Sequence, residues 1–356
     1  MLEQADVVPY LLERGLLAPA AVVDGGVVVR DVSRRNRNFA VERRDGPGYL
    51  LKQGLGPDGA LTVAHEARVY EDLGAKAPGL AVHLPRFHGY DADRGILALG
   101  LIDDGEDLRA YHMRTGAFPT LLGEQLGRAL AGLHREAPAA PGAARAPWVL
   151  SVHRPGRWVF YDASAAGLEL IKIIQGTAGF GELLDELRQG WSAAAFIHQD
   201  VKWDNCLAPA QGLGGLRLVD WELAAAGDPA WDVGSAVSQY LSFWLASIPH
   251  TGDQPPAGFP ALAAYPLEAM KAAILACWNG YADELGITAG EADKRLVQAV
   301  AYAGARLVQT AFESSQYLQI PDSGAVLHLQ LAFNVMRRPE AAVTQLLQIP
   351  FRAGRP

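Results

Sequence analysis

The period of the hydrophobic positions changes along the chain. In about the first hundred residues, short runs rich in β-branched and aromatic residues alternate with polar or Gly/Pro turns, which predicts strands. Farther on, apolar residues recur every three or four positions, which predicts helices. The predicted strands are 27–32, 38–43, 49–53, 84–90 and 95–102. The predicted later helices are 119–135, 233–247, 266–285, 290–319 and 324–347.

Two helices are predicted within the strand-rich part. One spans 5–17 and is ended by Ala18-Pro19, and the other spans 61–74 with Gly74 as its C-cap. An Ala/Pro-rich segment, 137–147, predicts a loop, and β-like pieces are predicted near 195–207 and 216–221.

This distribution predicts an α+β protein. A small β-rich N-terminal lobe would span residues 1–102, and a larger, mainly helical lobe would span 103–356. The segment Gly100 to Gly105 between them is the expected hinge.

Composition narrows the class of protein. Of the 356 residues, 50% are hydrophobic and 20% are charged, which suits a soluble globular protein. A net charge of −8 argues against a nucleic-acid partner. No run reaches the roughly 18 apolar residues of a membrane-spanning helix, and the N-terminus lacks a secretory signal pattern. The two cysteines, Cys206 and Cys277, favour a reducing cytoplasm over a disulfide framework.

The densest group of chemically active residues is the segment 198–205, His-Gln-Asp-Val-Lys-Trp-Asp-Asn. Its pattern is H-x-D-x-x-x-x-N. Fifteen residues after Asn205, the apolar run Leu216 to Val219 leads into Asp220. Phosphoryl transfer needs these residue types together, because a carboxylate must orient the acceptor hydroxyl and take its proton. Mg²⁺ in turn prefers carboxylate and amide oxygens.

These requirements assign roles within the group. Asp200 is predicted to be the catalytic base or orienting group, and Asn205 and Asp220 are predicted to hold the metal ion. His198 is expected to brace the loop rather than react. The roles of Asp204 and Glu222 stay open between a solvated carboxylate and a group near the site.

The motifs resemble a known family. The loop is similar to the catalytic loop of protein kinases, and the later segments are similar to the aminoglycoside phosphotransferase and choline kinase-like family. The resemblance is carried by His198, Asp200, Asn205, Asp220, Glu222 and the segment Gly227-Asp228-Pro229-Ala230-Trp231-Asp232. It implies a two-lobed protein-kinase-like fold, ATP and Mg²⁺ as cofactors, and a structural role for Asp232.

The resemblance extends to the N-terminal lobe. It implies that Lys52 binds the nucleotide phosphates and pairs with Glu66 on the following helix. It also implies that the backbone near Leu99 and Leu101 reads the adenine edge. The loop over the nucleotide lacks the usual glycines; Ser33 is predicted to contact phosphate there. The nearby arginines Arg34, Arg35 and Arg37 are either a solvated turn or a phosphate clamp.

Lys202 is predicted to be catalytic, because protein kinases with a lysine at this position use it to stabilise the transferring phosphate. Three functions remain open. The first is an ATP- and Mg²⁺-dependent kinase acting on a hydroxyl of a small molecule. The second is a Ser/Thr peptide kinase that works with a partner lyase on a ribosomally made peptide. The third is a pseudokinase or scaffold, against which the intact set of active residues argues.

Overall fold

The β-branched runs near the N-terminus form one antiparallel sheet in a computed structural model. The model describes residues 1–102, 105–137, 146–157, 163–209, 215–249 and 256–353. The chain divides into two units by its internal contacts. Unit one contains Met1–Tyr111 and Asp204–Ala224, and unit two contains His112–Trp203 and Ala225–Pro356. The predicted lobe boundary after residue 102 stays a prediction, as does the hinge, which includes residues outside the described ranges.

The five-stranded sheet of unit one has the strand order β1-β2-β3-β5-β4, with every neighbouring pair antiparallel. Its strands are β1 Val27–Asp31, β2 Arg37–Arg43, β3 Tyr49–Gln53, β4 Phe87–Asp91 and β5 Ile96–Gly100. The first helix, α1 (Gln4–Glu13), contributes Val7 and Leu11 to a core shared with Phe39 and Leu51 of the sheet. Successive side chains of a strand point to opposite faces of the sheet. Because one face is buried against α1, the alternate side chains lie on the opposite face.

The helix α3 (Gly56–Lys76) also packs on this sheet, against β3, β4 and β5. It buries a stripe of residues at helical spacing, and Glu66 lies within that stripe. A second, three-stranded sheet has the order β6-β8-β9. Its strands are β6 Gly105–Asp107, β8 Cys206–Pro209 and β9 Arg217–Leu218.

Unit two is mainly helical. Its helices are α5 Thr120–Glu136, α6 Ala165–Gly176, α7 Phe180–Gln189, α8 Pro229–Ala246, α9 Lys271–Leu285, α10 Ala289–Ser314, α11 Ser323–Arg337 and the short α12 Pro339–Ala341. The helix α5 packs against α9, and α10 packs against both α8 and α11. A two-stranded sheet pairs β7 (Ala195–Ile197) with β10 (Ala225–Gly227). The short α2 (Pro19–Val23) lies in unit one, and α4 (Leu108–Thr115) crosses the boundary between the units.

Several predicted helix ends are wrong, and each has a local cause. The helix predicted at 61–74 starts at Gly56 and continues past Gly74, because Gly74 keeps a helical conformation and Ala77 is the C-cap. The helix predicted at 324–347 is interrupted, since Pro339 cannot donate to the preceding turn and instead begins a new short helix. Pro19 likewise begins α2, and α1 ends earlier than predicted, at Glu13.

The helices α6 and α7 were not predicted from the sequence. Most of the predicted loop 137–147 lies outside the described residues. Within the part of the chain that the structure describes, no helix is both long and apolar enough to cross a membrane.

Candidate active site

A buried lysine lies between two carboxylates in unit one. Lys52 occupies β3, where it is opposite Asn38 of β2 and Leu97 of β5. Its Nζ lies 2.6 Å from Glu66 Oε2 on α3 and 2.6 Å from Asp220 Oδ1, which follows β9. The Lys52 side chain is only 10% exposed. The fold therefore brings together three residues that the sequence placed in separate segments.

The charges in this cluster depend on each other. Burial lowers the pKa of Lys52, but the carboxylates of Glu66 and Asp220 outweigh that effect, and the pKa is raised overall. Burial raises the pKa of Glu66, and the ammonium group of Lys52 only partly offsets this. Lys52 is consequently a cation throughout the physiological pH range, and its ammonium group contacts both Glu66 and Asp220.

Asp220 has an unusual backbone conformation. Its φ of 65° lies in the left-handed region, which residues other than glycine seldom adopt. Trp221 Nε1 donates a 3.0 Å hydrogen bond to the carbonyl of Leu218, which holds this turn closed. Strained backbone of this kind concentrates at functional sites, where the surrounding contacts enforce it.

Asn205 lies close to Asp220 in the same unit, because the N–H of Val219 donates to the carbonyl of Asn205 at 3.0 Å. The two residues present an amide and a carboxylate, which are oxygen donors that suit Mg²⁺. No group of three or more His, Cys, Asp or Glu side chains is arranged for a metal ion among the described residues. A two-residue donor set fits Mg²⁺ bound together with phosphate oxygens, which is how Mg²⁺ commonly binds beside nucleotides.

In unit two, the loop that carries Asp200 is braced by Asp232 of α8. The Asp232 carboxylate accepts hydrogen bonds from the backbone N–H groups of His198, at 2.7 Å, and Gln199, at 2.9 Å. Gln199, the residue before Asp200, has a φ of 68°, and its carbonyl accepts from Trp231 Nε1. His198 is fully buried, and its Nδ1 accepts from the N–H of Asp200. Asp232 therefore has the structural role that the family resemblance implied.

Two cations contact the Asp200 carboxylate. Lys202 Nζ lies 2.7 Å from Oδ2, and Arg306 Nη2 of α10 lies 3.0 Å from Oδ1. Burial raises the pKa of Asp200, but Arg306 and Lys202 together outweigh burial, so the pKa is lowered overall. Asp200 is therefore ionised at neutral pH.

Arg306 was missed in the sequence analysis. It is 1% exposed, and its Nη1 also donates to Glu313 at 2.9 Å. One signal in the sequence was available, namely a single arginine within the apolar run Tyr302 to Val308 of a helix. A charged residue on the buried face of a helix generally needs a partner.

The other residues predicted to contact the nucleotide, Ser33, Leu99 and Leu101, also belong to unit one. The Ser33 hydroxyl accepts from the N–H of Asn38 at 3.0 Å and thus closes a turn. Leu99 is buried in the sheet, and the N–H of Leu101 donates to the carbonyl of Gly48 at 2.9 Å. This bond occupies one of the backbone groups predicted to read adenine.

The acidic residues with open roles each pair with an arginine of unit one. Arg35 lies 3.3 Å from Glu222, and Arg109 lies 3.3 Å from Asp204. The arginine side chains are largely or partly exposed in both pairs. Exposed ion pairs contribute little to stability, so these contacts leave both acidic residues available for other roles.

The family model described as "phosphotransferase enzyme family" matches residues 28–276. A comparison with curated protein sequences found no significant match. An ethanolamine kinase from Plasmodium vivax is similar in structure, with a TM-score of 0.56 and 12% identity, over 92% of this chain and 86% of that chain.

Two further solved structures are similar. A choline/ethanolamine kinase family protein from Mesorhizobium loti has a TM-score of 0.51 and 15% identity, covering 95% of this chain and 99% of that chain. A macrolide 2'-phosphotransferase from Brachybacterium faecium has a TM-score of 0.49 and 17% identity, covering 94% and 98%. The family match confirms the resemblance found in the sequence. The two kinase structures confirm the predicted α+β fold of protein-kinase type.

Proposed function

We propose that this chain, which belongs to the phosphotransferase enzyme family, transfers the γ-phosphoryl group of ATP to a hydroxyl group of an acceptor. The observation that carries the proposal is the buried Lys52 between Glu66 and Asp220. Burying Lys52 and Glu66 beside the partly exposed Asp220 is costly, and replacing a buried ion pair with apolar residues is often neutral or stabilising. The presence of these charges points to a ligand that needs them, and polyphosphate is such a ligand.

Each residue of the set has a part in the transfer. Lys52 would bind the α- and β-phosphates, and Glu66 would keep its ammonium group in place. Asn205 and Asp220 would hold Mg²⁺, which neutralises phosphate charge when it is bound. Because these contacts are made to ATP, the phosphoryl donor, they affect nucleotide affinity more than the choice of acceptor.

Asp200 would act on the acceptor. The acceptor oxygen forms a bond to the γ-phosphorus while the bond from that phosphorus to the β–γ bridging oxygen breaks, and the hydroxyl proton passes to Asp200. With its lowered pKa, Asp200 is a weak base. It therefore acts chiefly by orienting the hydroxyl and takes the proton late, which suits a loose transition state with little early need for a base.

A small-molecule alcohol is the acceptor class that we propose. We also propose a cytoplasmic location, because both cysteines, Cys206 and Cys277, are buried free thiols.

The test is ATP consumption with Mg²⁺ over a panel of alcohols, amino alcohols and hydroxyl-bearing peptides. Asp200→Asn should lower turnover by roughly 10²-fold or more while ATP still binds. Asp72→Asn, a surface substitution on α3, serves as the matched control. Near-normal turnover in Asp200→Asn would remove Asp200 from the mechanism. Absence of both turnover and ATP binding in the unmodified chain would refute the kinase assignment.

A further inference from the structure

A pocket of about 220 Å³ opens in unit two beside the ion pairs of Arg306. Its wall comes from three parts of the chain: the turn at Trp148, the start of α6 at Gly167 and Ile171, and the end of α10 at Phe312 and Glu313. We name it the aromatic pocket. These residues are not among those proposed to bind ATP or Mg²⁺ or to orient the acceptor. One of them, Glu313, contacts Arg306.

The wall of the aromatic pocket is built for an uncharged group. The Trp148 and Phe312 rings meet edge to face, with their centroids 5.5 Å apart. Ile171 is buried behind them. Gly167 also lines the pocket, and a Cβ placed there would be in van der Waals contact with Ser164 Oγ at 3.4 Å and Phe312 Cδ1 at 3.7 Å. The volume is small for a drug-sized ligand and suits one aromatic ring or branched alkyl group.

The pocket is connected to Asp200 through a single guanidinium group. Glu313 in the wall accepts from Arg306 Nη1 at 2.9 Å, and Arg306 Nη2 donates to Asp200 at 3.0 Å. All of these residues belong to unit two. The wall of the pocket and the Asp200 carboxylate are thus joined by two successive ion-pair contacts of one buried side chain, Arg306.

Charge argues against a cationic occupant. Among the described residues that line the pocket, Glu313 is the sole acid. Its carboxylate already accepts from Arg306 and from Gln309 Nε2, each at 2.9 Å. A cation would compete with a buried arginine for that carboxylate, whereas an apolar group gains from leaving water.

Two exposed apolar side chains follow the pocket-lining residue Gln316 along the chain. The connection from α10 to α11 carries Tyr317 and Ile320, which are 89% and 74% exposed. This connection lies against the start of α6, because the N–H of Ala166 donates to the carbonyl of Leu318 at 3.2 Å. Large exposed apolar side chains gathered beside a pocket commonly mark a binding site.

We propose that the aromatic pocket binds an uncharged aromatic or branched alkyl group of the acceptor and so directs the adjacent hydroxyl to Asp200. The proposal rests on the proposed kinase function and specifies its substrate class. The same chemistry is available from two sources. One is a free aryl alcohol, and the other is a serine or threonine with an aromatic neighbour in a peptide.

The experiment compares matched acceptors with Mg-ATP. 2-Phenylethanol is paired with choline, and a short Ser-Phe peptide is paired with its Ser-Lys counterpart. We expect higher kcat/KM for the aryl member of at least one pair, and the pair that shows the preference identifies the source. A preference for the cationic member in both pairs would overturn the proposal.

Two variants place the effect in the pocket. Trp148→Ala removes one wall, and Gly167→Ala adds a methyl group at ordinary contact distance from Phe312, which narrows the pocket without removing a wall. Each should raise the KM for the preferred aryl acceptor by roughly tenfold or more, with a smaller change in kcat. Ile173→Ala, an apolar residue of α6 that is 38% exposed and outside the pocket, is the control and should change neither value.

Binding measured by calorimetry without ATP separates this proposal from the kinase function. If no acceptor is phosphorylated, yet 2-phenylethanol binds and both pocket variants weaken its binding, then the pocket binds an aryl group, whereas the kinase function and the role of that group as part of an acceptor both fail. If amino alcohols are phosphorylated and neither variant affects their turnover, then the kinase function stands and the pocket proposal fails. Failure of aryl compounds to bind would also overturn the pocket proposal.

Discussion

Arg306 offers the sharpest test of how the acceptor side is organised. Replacement by methionine keeps an unbranched apolar stem but shortens the side chain and removes its charge and its fork of donors. Asp200 would then keep Lys202, whose side chain is 34% exposed, in place of a buried guanidinium. Glu313 is 48% exposed and would turn to solvent.

The cost to stability follows from burial. Removing one partner of a buried ion pair typically costs about 3–5 kcal/mol, since the remaining charge is left uncompensated. Because Lys202 still compensates Asp200 in part, we expect about 3 kcal/mol for Arg306→Met. That is a large share of a net stability of about 5–15 kcal/mol.

The activity should change in two ways. A carboxylate held less firmly lowers kcat, by roughly 10²-fold for a displacement of about 1 Å. Without Arg306, the effect of burial is opposed mainly by Lys202, so the pKa of Asp200 rises. The acid limb of the kcat/KM profile should therefore move to higher pH. In the unmodified chain, the lowered pKa of Asp200 adds stability that is present above the usual value of 3.8 and is lost as the pH falls through the lowered value.

The assay combines denaturant unfolding with pH–rate profiles for three variants. Arg306→Lys keeps the charge but not the forked donors, so it should restore most of the pH profile and only part of kcat. Arg128→Met, on an exposed i,i+4 pair of α5, is the matched control. If Arg306→Met unfolds like the unmodified chain and keeps its pH profile, then Arg306 does not position Asp200.

Three further predictions concern the other site residues. Lys52→Met should weaken ATP binding by roughly tenfold or more, because the phosphates lose a charged donor and Glu66 is left buried without its partner; calorimetry measures this, and unchanged affinity would exclude Lys52 from the nucleotide site. Asp220→Ala should reduce the dependence of ATP binding on Mg²⁺, and a dependence equal to that of the unmodified chain would contradict the metal assignment. Lys202→Ala should lower kcat more than ATP affinity in steady-state kinetics, whereas an unaltered rate would show that Lys202 does not contact the transferring phosphate.

Most strands of unit one could be predicted from the sequence, because the patterns that mark a strand involve neighbouring residues. Strand β3 was predicted with both ends correct, and β1 and β2 were predicted within one residue at each end. Their alternation of side chains and their Gly/Pro turns depend on neighbouring residues alone. The helices α6 and α7 were missed, although α7 places apolar and polar residues on opposite faces and so carries a helical pattern in its own sequence.

The site shows the same contrast. The loop at 198–205 and the turn at Asp220 could be recognised in the sequence, because their active residue types stand at fixed spacings. The cation that Arg306 supplies to Asp200, 106 residues earlier, is seen only in the folded chain. Likewise, only helix packing brings Trp148 to Phe312. A contact between distant segments depends on how whole helices pack, and the spacing of residues along the chain does not determine that packing.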